Sequence, residues 1–200
     1  PWADELLSLS KSSRERGTEI HQAISAWLKS LAVHTWEEQF PQGQAWQWAA
    51  DFLAKYKDDY QFISEEELRF PLEGVVVNGI PDLVLMPAPN PSLPSNPANF
   101  AASVKPVMIW DFKTGHGEND QAYRAQVLAY AYGLYQLGRV AKTEAIQVGL
   151  IYLDQQKVKN EEVSWPKVEQ FWQALWPKLS SLDCQKTSCP DCRFRIFCPA

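Results

Sequence analysis

The sequence predicts one α/β domain in which helices lie before and after a group of strands. Apolar residues recur at helical spacing near the beginning of the chain and again in its second half, and the region between them changes to short strand-like runs. A length of 200 residues suits a single domain spanning 1–200. The predicted order is α-β-β-β-α-β, followed by a last helix and a tail that holds all the cysteines.

The first part of the chain is predicted to form two helices and then strands. Ser12 to about Val33 shows helical spacing of apolar residues, and His21 lies beside this apolar stripe. A second helix is predicted from Gln44 to Lys57. Strand-like runs then extend from Gln61 to Leu85. Within them, residues 75–77 and 83–85 are expected to pair as a hairpin around Asn78-Gly79, because Asn-Gly is a favoured two-residue turn.

Residues 87–106 contain six prolines and are predicted to be a loop insertion. The insertion separates two strands that should pair in one sheet, so it does not mark a domain boundary. Long loops of this kind are often functional or disordered, and we expect disorder at the tip. Beyond it, the sequence predicts a strand at 107–113, a helix from Glu118 to Gly138, a strand from Ala145 to Leu153 and a final amphipathic helix around 168–179.

The predicted strands and helix carry several polar residues of the types that bind metals or take part in catalysis. Asp111 and Lys113 lie two apart at the end of an apolar run and therefore share one face of a strand. Such a pair can hold a divalent metal beside a nucleophilic water, although one D-x-K match is expected by chance in about 200 residues. Asp82 lies in a second strand-like run. Gln126 and Tyr130 are four apart and share a helix face.

In this order the residues resemble the motifs of the PD-(D/E)XK nuclease superfamily, specifically its RecB-like exonuclease branch. That branch has a G-x-x-D strand, a D-x-K strand and a Q-x-x-x-Y helix, preceded by a histidine on an early helix. The matching positions here are Gly79-x-x-Asp82, Asp111-x-Lys113, Gln126-x-x-x-Tyr130 and His21. The resemblance runs from about residue 17 to residue 198. It implies a restriction-endonuclease-like core, in which helices flank a central mixed sheet.

The resemblance also implies a metal-dependent active site for phosphodiester hydrolysis. Mg²⁺ or Mn²⁺ would be held by two carboxylates, a backbone carbonyl and an imidazole, supplied by Asp82, Asp111, Phe112 and His21. Lys113 would orient the attacking water and neutralise negative charge. Gln126 and Tyr130 would support the site and contact DNA. Taken singly, each residue also has an ordinary structural explanation, such as a strand-edge aspartate, a turn lysine or a helix-surface histidine.

The function that the resemblance implies is a DNA nuclease acting on single strands or DNA ends, as an exonuclease rather than an endonuclease. DNA repair, recombination or CRISPR adaptation would be its context, and a helicase or an adaptation-complex protein its partner. One alternative is a non-catalytic DNA-binding or scaffolding domain that keeps the fold and the cysteine tail. Another is a zinc-binding interaction module. The intact set of Asp82, Asp111 and Lys113 argues against the first alternative.

The net charge and the hydropathy of the sequence bear on nucleic-acid binding, membrane insertion and secretion. The net charge of −5 argues against binding of nucleic acid by bulk electrostatics, but bound divalent ions reverse the sign of a metal site. The sequence has no run of 18 or more apolar residues, so no membrane-spanning helix is predicted. No signal peptide is evident either, and we expect a cytoplasmic protein. The chain does not begin with Met, so we expect a trimmed or processed fragment.

All four cysteines lie in the tail at 184–198, as Cys184, Cys189, Cys192 and Cys198. Without a secretory signal, a bound metal or cluster is a better explanation than disulfides. The last three resemble the iron–sulfur motif of some RecB-like members, in which the first cysteine instead precedes the core. Either Cys184 takes that role, or the fourth ligand lies outside this sequence, or no cluster forms. Zinc is the alternative to a [4Fe–4S] cluster.

Metal analysis of the purified protein tests the cysteine tail. We expect iron, acid-labile sulfide and broad visible absorption, because thiolates with irregular spacing suit an iron–sulfur cluster. Zinc at one per chain with no visible absorption would contradict the cluster and favour the zinc module.

Overall fold

The structure is a computed structural model, and it describes residues 24–29, 44–72, 75–88, 105–114 and 120–180. Helices and strands follow one another along these ranges. Their order is α1 (described residues 24–29), α2 (Gln44–Ala54), β1 (Tyr60–Ser64), β2 (Leu68–Leu72), β3 (Val75–Gly79), β4 (Leu83–Pro87), β5 (Val107–Lys113), α3 (Asp120–Gln136), β6 (Ile146–Tyr152), β7 (Lys157–Val163) and α4 (Trp165–Ser180).

The described strands form a central sheet and a separate hairpin. Five strands lie in the order β1-β4-β5-β6-β7, and β2 pairs with β3. β5 and β6 are parallel, whereas the other neighbouring strands of the central sheet are antiparallel. Helices cover both faces of this mixed sheet. The predicted α/β class is therefore confirmed, and the arrangement is consistent with a restriction-endonuclease-like core.

Side-chain alternation along β5 separates two apolar cores. Ile109 belongs to the core that includes α3 and α4, whereas Trp110 and Phe112 belong to the core that includes α1 and α2. A strand buried on both faces is typical of the centre of a sheet. Because alternate residues share a face, Asp111 and Lys113 lie on the α3 face together with Ile109.

α3 packs against the central sheet, the β2–β3 hairpin and α4, and this position explains why it is apolar on several sides. The helix ends where the sequence predicted. Gly138 has a φ of 66°, a left-handed conformation that glycine adopts without strain. Its N–H donates to the Tyr135 carbonyl, and the Arg139 N–H donates to the Leu134 carbonyl. This pair of bonds is the Schellman motif that terminates many helices.

The predicted hairpin between residues 75–77 and 83–85 is wrong. β3 pairs with β2, with Leu72 opposite Val75, and β4 pairs with β1 and β5. Asn78 and Gly79 are paired residues of β3 and are not among the described residues with positive φ, which a type I′ turn requires. Both hydrogen-bonding edges of β4 are used within the central sheet, so none remains for β3.

The predicted pairing of the two strands that flank the insertion is confirmed, whereas the strand β7 was not predicted. β4 and β5 flank the proline-rich insertion and pair as expected, while residues 89–104 of the insertion lie outside the described residues. β7 was not predicted, because its sequence KVKNEEV is mostly charged and exposed. Such a composition is typical of an edge strand that resists pairing with other chains. Within the described ranges, no helix is long and apolar enough to cross a membrane.

Gly149→Ala tests the packing between β6 and the core. A Cβ at this position would lie 2.9 Å from the Lys159 backbone oxygen and against the buried indole of Trp110. We expect a loss of about 1–3 kcal/mol in the free energy of unfolding, measured by urea denaturation. Gly138→Asn is the control, because nothing lies within 4 Å of that position and asparagine tolerates positive φ. Equal stability of Gly149→Ala and wild type would contradict this packing.

Candidate active site

Asp111 and Lys113 form an ion pair at the end of the central strand β5. Asp111 is only 1% exposed, and the Lys113 side chain is 15% exposed. The Lys113 ammonium contacts Asp111 Oδ2. A buried carboxylate needs a positive partner, because desolvation of an unpaired charge is very costly. The strand therefore fixes a carboxylate and an ammonium side by side on the face that α3 covers.

Asp82 lies directly before β4 and level with Asp111. The β4–β5 register pairs Leu83 with Trp110, and one further step along the antiparallel strands brings Asp82 opposite Asp111. The Asp82 carboxylate Oδ2 accepts a hydrogen bond of 2.7 Å from the Phe112 backbone N–H. Bonds to an ionised acceptor are among the stronger ones in proteins. Two carboxylates from adjacent strands are thus held at the same end of the sheet.

The Lys113 ammonium also contacts α3. It donates to Gln126 Oε1 at 3.2 Å and lies 4.3 Å from the centre of the Tyr123 ring. An amide oxygen and an aromatic face both stabilise a cation. Sequence reasoning missed Tyr123. The signal that could have found it is spacing, since Tyr123, Gln126 and Tyr130 lie three and four residues apart on one helix face.

Tyr130 is buried behind Gln126 and keeps its proton. Gln126 Nε2 donates to the Tyr130 hydroxyl at 2.8 Å. The pKa of Tyr130 is raised well above its usual value, chiefly by burial and further by the negative charges of Asp111 and Asp82, with the Gln126 bond acting in the opposite direction. The phenol therefore stays neutral at any physiological pH. The two aspartates act electrostatically on the same hydroxyl.

The glycine that precedes Asp82 in the G-x-x-D motif contacts this tyrosine. A Cβ built on Gly79 would lie 2.9 Å from Tyr130 Cε1 and 3.1 Å from Cδ1. Real Cβ atoms hardly ever approach so closely, so the absence of a side chain at Gly79 leaves room for the ring. The two motifs, 51 positions apart in sequence numbering, are complementary in shape where β3 passes α3.

Glu65 connects α1 to the loop beside Asp82. Its backbone N–H donates to the Asp82 carbonyl at 3.3 Å, and its carboxylate pairs with Lys29 at 3.0 Å. Burial raises the pKa of Glu65, but hydrogen bonds from Ser25 and Lys29 outweigh it and the net pKa is lowered. The sequence shows only a run of three glutamates at this point, and no pattern in that run indicates the contact with Asp82.

Two adjacent carboxylates suit a hard divalent cation. Mg²⁺ binds through one or two protein carboxylates and keeps several waters, so Asp82 and Asp111 supply a suitable donor set. Burial of Asp111 and its pairing with Lys113 indicate that this end of the sheet requires positive charge. Within the described ranges, no group of three or more His, Cys, Asp or Glu side chains is arranged for a metal. A further protein ligand would have to come from elsewhere.

The structure brings together six of the residues singled out from the sequence, at one end of the central sheet beneath α3: Asp82, Asp111, Phe112, Lys113, Gln126 and Tyr130. His21 and all four tail cysteines, Cys184, Cys189, Cys192 and Cys198, lie outside the described residues. The metal ligation, the catalytic roles and the cysteine-bound cluster therefore remain predictions.

Comparisons with known proteins give a family and one structural likeness. The family model described as the PD-(D/E)XK nuclease superfamily matches residues 3–199. No curated protein matches the chain. Among solved structures, the crystal structure of SSO0001 is similar, with 14% sequence identity and a TM-score of 0.32. That likeness covers 75% of this chain and 65% of the other, so this chain spans less than two thirds of the other's length.

A double-mutant cycle tests the contact between Gly79 and Tyr130. Gly79→Ala should lower the free energy of unfolding by about 1–3 kcal/mol in the wild-type background, because the new methyl group displaces the buried ring. The same change should cost much less in a Tyr130→Ala background, which leaves a coupling of roughly 0.5–3 kcal/mol. The measurement is urea denaturation of all four proteins. An equal cost in both backgrounds would show that the contact does not exist.

Proposed function

Because the chain belongs to the PD-(D/E)XK nuclease superfamily, we propose that it is a metal-dependent deoxyribonuclease that hydrolyses phosphodiester bonds. The observation that carries the proposal is the position of Asp82, Asp111 and Lys113. Asp111 and Lys113 lie on β5, and Asp82 directly precedes the adjacent strand β4. All three lie at one end of the sheet, with Lys113 paired to Asp111. A family match indicates a nuclease, and this arrangement supplies the charges that such chemistry requires.

The proposed metal ligands are Asp82, Asp111, the Phe112 backbone carbonyl and His21. Asp82 is oriented by the Phe112 N–H, and Asp111 by burial and by Lys113. When bound there, Mg²⁺ or Mn²⁺ lowers the pKa of a water ligand and offsets the negative charge of the phosphate. The protein contributes two oriented carboxylates in a largely buried setting, where electrostatic interactions are stronger than in water.

Lys113 is the residue proposed to act on the reacting groups. Asp111, Gln126 and Tyr123 contact its ammonium from different directions, so the long side chain has little freedom. An ammonium held in place beside the carboxylates can orient the attacking water and stabilise negative charge as it develops on the phosphate. Such preorganised charges stabilise a transition state without the reorganisation that solvent requires.

Gln126 contacts Lys113 directly, and Tyr130 contacts Gln126, so both residues help to position the lysine. Gln126 accepts from Lys113 through Oε1 and donates to Tyr130 through Nε2. Because an ammonium can only donate, Lys113 requires the amide oxygen on its side, and Nε2 is left to face the tyrosine hydroxyl. Burial, together with the negative charges of Asp111 and Asp82, raises the pKa of Tyr130 and keeps its hydroxyl neutral. We propose that this chain of bonds explains the Q-x-x-x-Y motif, alongside the DNA contact that the resemblance implies.

The finer assignment is a RecB-like exonuclease acting on single-stranded DNA or on DNA ends. Its support is the ordered set of motifs together with the contact of the Q-x-x-x-Y helix with the D-x-K lysine. DNA repair, recombination or CRISPR adaptation, with a helicase or an adaptation-complex protein as partner, is proposed on the resemblance alone. The same holds for a [4Fe–4S] cluster at Cys184, Cys189, Cys192 and Cys198, with zinc as the alternative.

Cleavage of end-labelled linear and closed circular single-stranded DNA tests the proposed function. We expect degradation of linear DNA in Mg²⁺ or Mn²⁺, none in EDTA, and sparing of the circle. Lys113→Ala should lower the rate at least 10²- to 10³-fold, because it removes a charge aimed at the transition state. Lys57→Ala is the matched control. Lys57 lies in the turn before β1, and β1 approaches Asp82 only through its other end.

The outcomes separate the hypotheses. Equal rates for wild type and Lys113→Ala would point to a contaminating nuclease and rule out the proposed role of Lys113. DNA binding without metal-dependent cleavage would favour the non-catalytic DNA-binding domain. Cleavage of the circle at a rate equal to that of the linear strand would contradict the exonuclease assignment but not the nuclease.

A further inference from the structure

Glu65 has a left-handed backbone conformation at the point where the chain leaves the central sheet. Its φ is 51°, in a region that residues with a Cβ rarely adopt. Ser64, the last residue of β1, is paired with Leu83, and the Glu65 N–H adds one further bond to the Asp82 carbonyl at 3.3 Å. Strained backbone persists where the surrounding contacts require it, and it occurs often at functional sites.

The Glu65 side chain contacts α1 at two positions one helical turn apart. It accepts a hydrogen bond from the Ser25 hydroxyl and another from the Lys29 ammonium at 3.0 Å. Ser25 in turn accepts from the Ser64 hydroxyl at 3.2 Å. Ser25 is only 4% exposed, whereas the Lys29 side chain is more than half exposed. Because solvent screens exposed ion pairs, Ser25 is the contact expected to hold the helix.

These contacts supply what the apolar packing of α1 lacks. Ile24, Trp27 and Leu28 bury one side of the helix against the central sheet. Burial of apolar surface is non-directional, so by itself it does not determine where the helix lies along its own axis. Hydrogen bonds are directional, and those from Ser25 and Lys29 to Glu65 determine that position.

Glu65 thereby connects α1 to the candidate active site. Its backbone N–H donates to the Asp82 carbonyl, and the Asp82 carboxylate accepts from the Phe112 N–H. A path of hydrogen bonds therefore leads from Ser25 through Glu65 and Asp82 to β5. The position of α1 is fixed relative to the same aspartate that is proposed to hold a metal ion.

The face of α1 that contacts Glu65 leads to His21 in the sequence. His21, Ser25 and Lys29 are spaced four residues apart, and residues at this spacing share one face of an α-helix. His21 lies outside the described residues, but the helix predicted from Ser12 to about Val33 includes it. Under that prediction, His21 is about 6 Å along the helix axis from Ser25. The bonds that hold Ser25 therefore also determine where the imidazole lies.

We propose that Glu65 is a positioning residue of the metal site, which holds α1 beside Asp82 so that His21 can join Asp82 and Asp111 as a ligand. The inference rests on the proposed function, since it requires His21 to bind the metal. Glu65 itself is not a ligand in this proposal, because Ser25 and Lys29 engage its carboxylate. A ligand held in place before the cation arrives loses less conformational freedom on binding.

Binding of Mn²⁺ to the full chain without DNA, followed by electron paramagnetic resonance of the free ion, tests the proposal. The variants are Glu65→Gly, His21→Ala and their combination. Glycine adopts positive φ without strain, and the Glu65 side chain is partly exposed, so Glu65→Gly should keep the fold. Each single variant should bind Mn²⁺ roughly 10- to 100-fold more weakly. The combination should bind no more weakly than His21→Ala, because Glu65 acts through His21.

Electron spin-echo measurements on the Mn²⁺-saturated proteins separate positioning from general damage. An imidazole nitrogen bound to Mn²⁺ modulates the echo, so wild type should show nitrogen modulation and Glu65→Gly should lose most of it. Glu65→Gln can still accept from Ser25 and should retain more of it. Glu66→Ala is the matched control, since Glu66 is similarly exposed but pairs with Arg139 after α3. It should behave like wild type.

The outcomes separate this inference from the proposed function. Wild-type affinity and nitrogen modulation in Glu65→Gly would overturn the positioning role and leave the metal site. Further weakening in the combined variant would also overturn it, because Glu65 would then act independently of His21. An unchanged affinity in His21→Ala would overturn it as well and leave a site of two carboxylates. Mn²⁺ binding that Asp111→Asn does not weaken would contradict the proposed metal site itself, and the inference with it.

Discussion

The pairing of β4 with β5 is the constraint on which the candidate site depends. Its antiparallel register brings Asp82 level with Asp111, and the hydrogen bond from the Phe112 N–H holds the Asp82 carboxylate in that position. The register is strongly specified because both strands are buried on two faces, and a slip by one residue would move every apolar side chain to the wrong core. Packing of the cores thus positions two carboxylates that repel one another.

α3 joins the core to the candidate chemistry. Tyr130 is as buried as the surrounding apolar residues, yet its hydroxyl accepts a hydrogen bond from Gln126, which contacts Lys113. The β2–β3 hairpin holds α3 from the other side, with Gly79 leaving space for Tyr130. A change in the hairpin therefore reaches Lys113 through packed side chains and two hydrogen bonds. Under the proposed function, a change that loosens this packing would therefore also affect the position of Lys113.

Basic residues gather at β7, although the chain as a whole is acidic. An acidic protein would be expected to repel nucleic acid, but the α3 face of β7 presents lysines and Glu161 gathers two further cations there. Composition cannot reveal such a surface, since β7 reads in the sequence as an unremarkable polar segment.

Local periodicity was sufficient to predict the α/β class, the end of α3 near Gly138, the shared face of Asp111 and Lys113, and the shared face of Gln126 and Tyr130. Each of these depends on residues only a few positions apart, whose geometry is determined by strand alternation or helical pitch. Local periodicity could not predict the partner of β3, the alignment of Asp82 with Asp111, the contact of Tyr123 with Lys113 or the existence of β7. These features join segments distant in sequence, and competing pairings such as the Asn78-Gly79 hairpin are settled by which arrangement buries both faces of the central sheet.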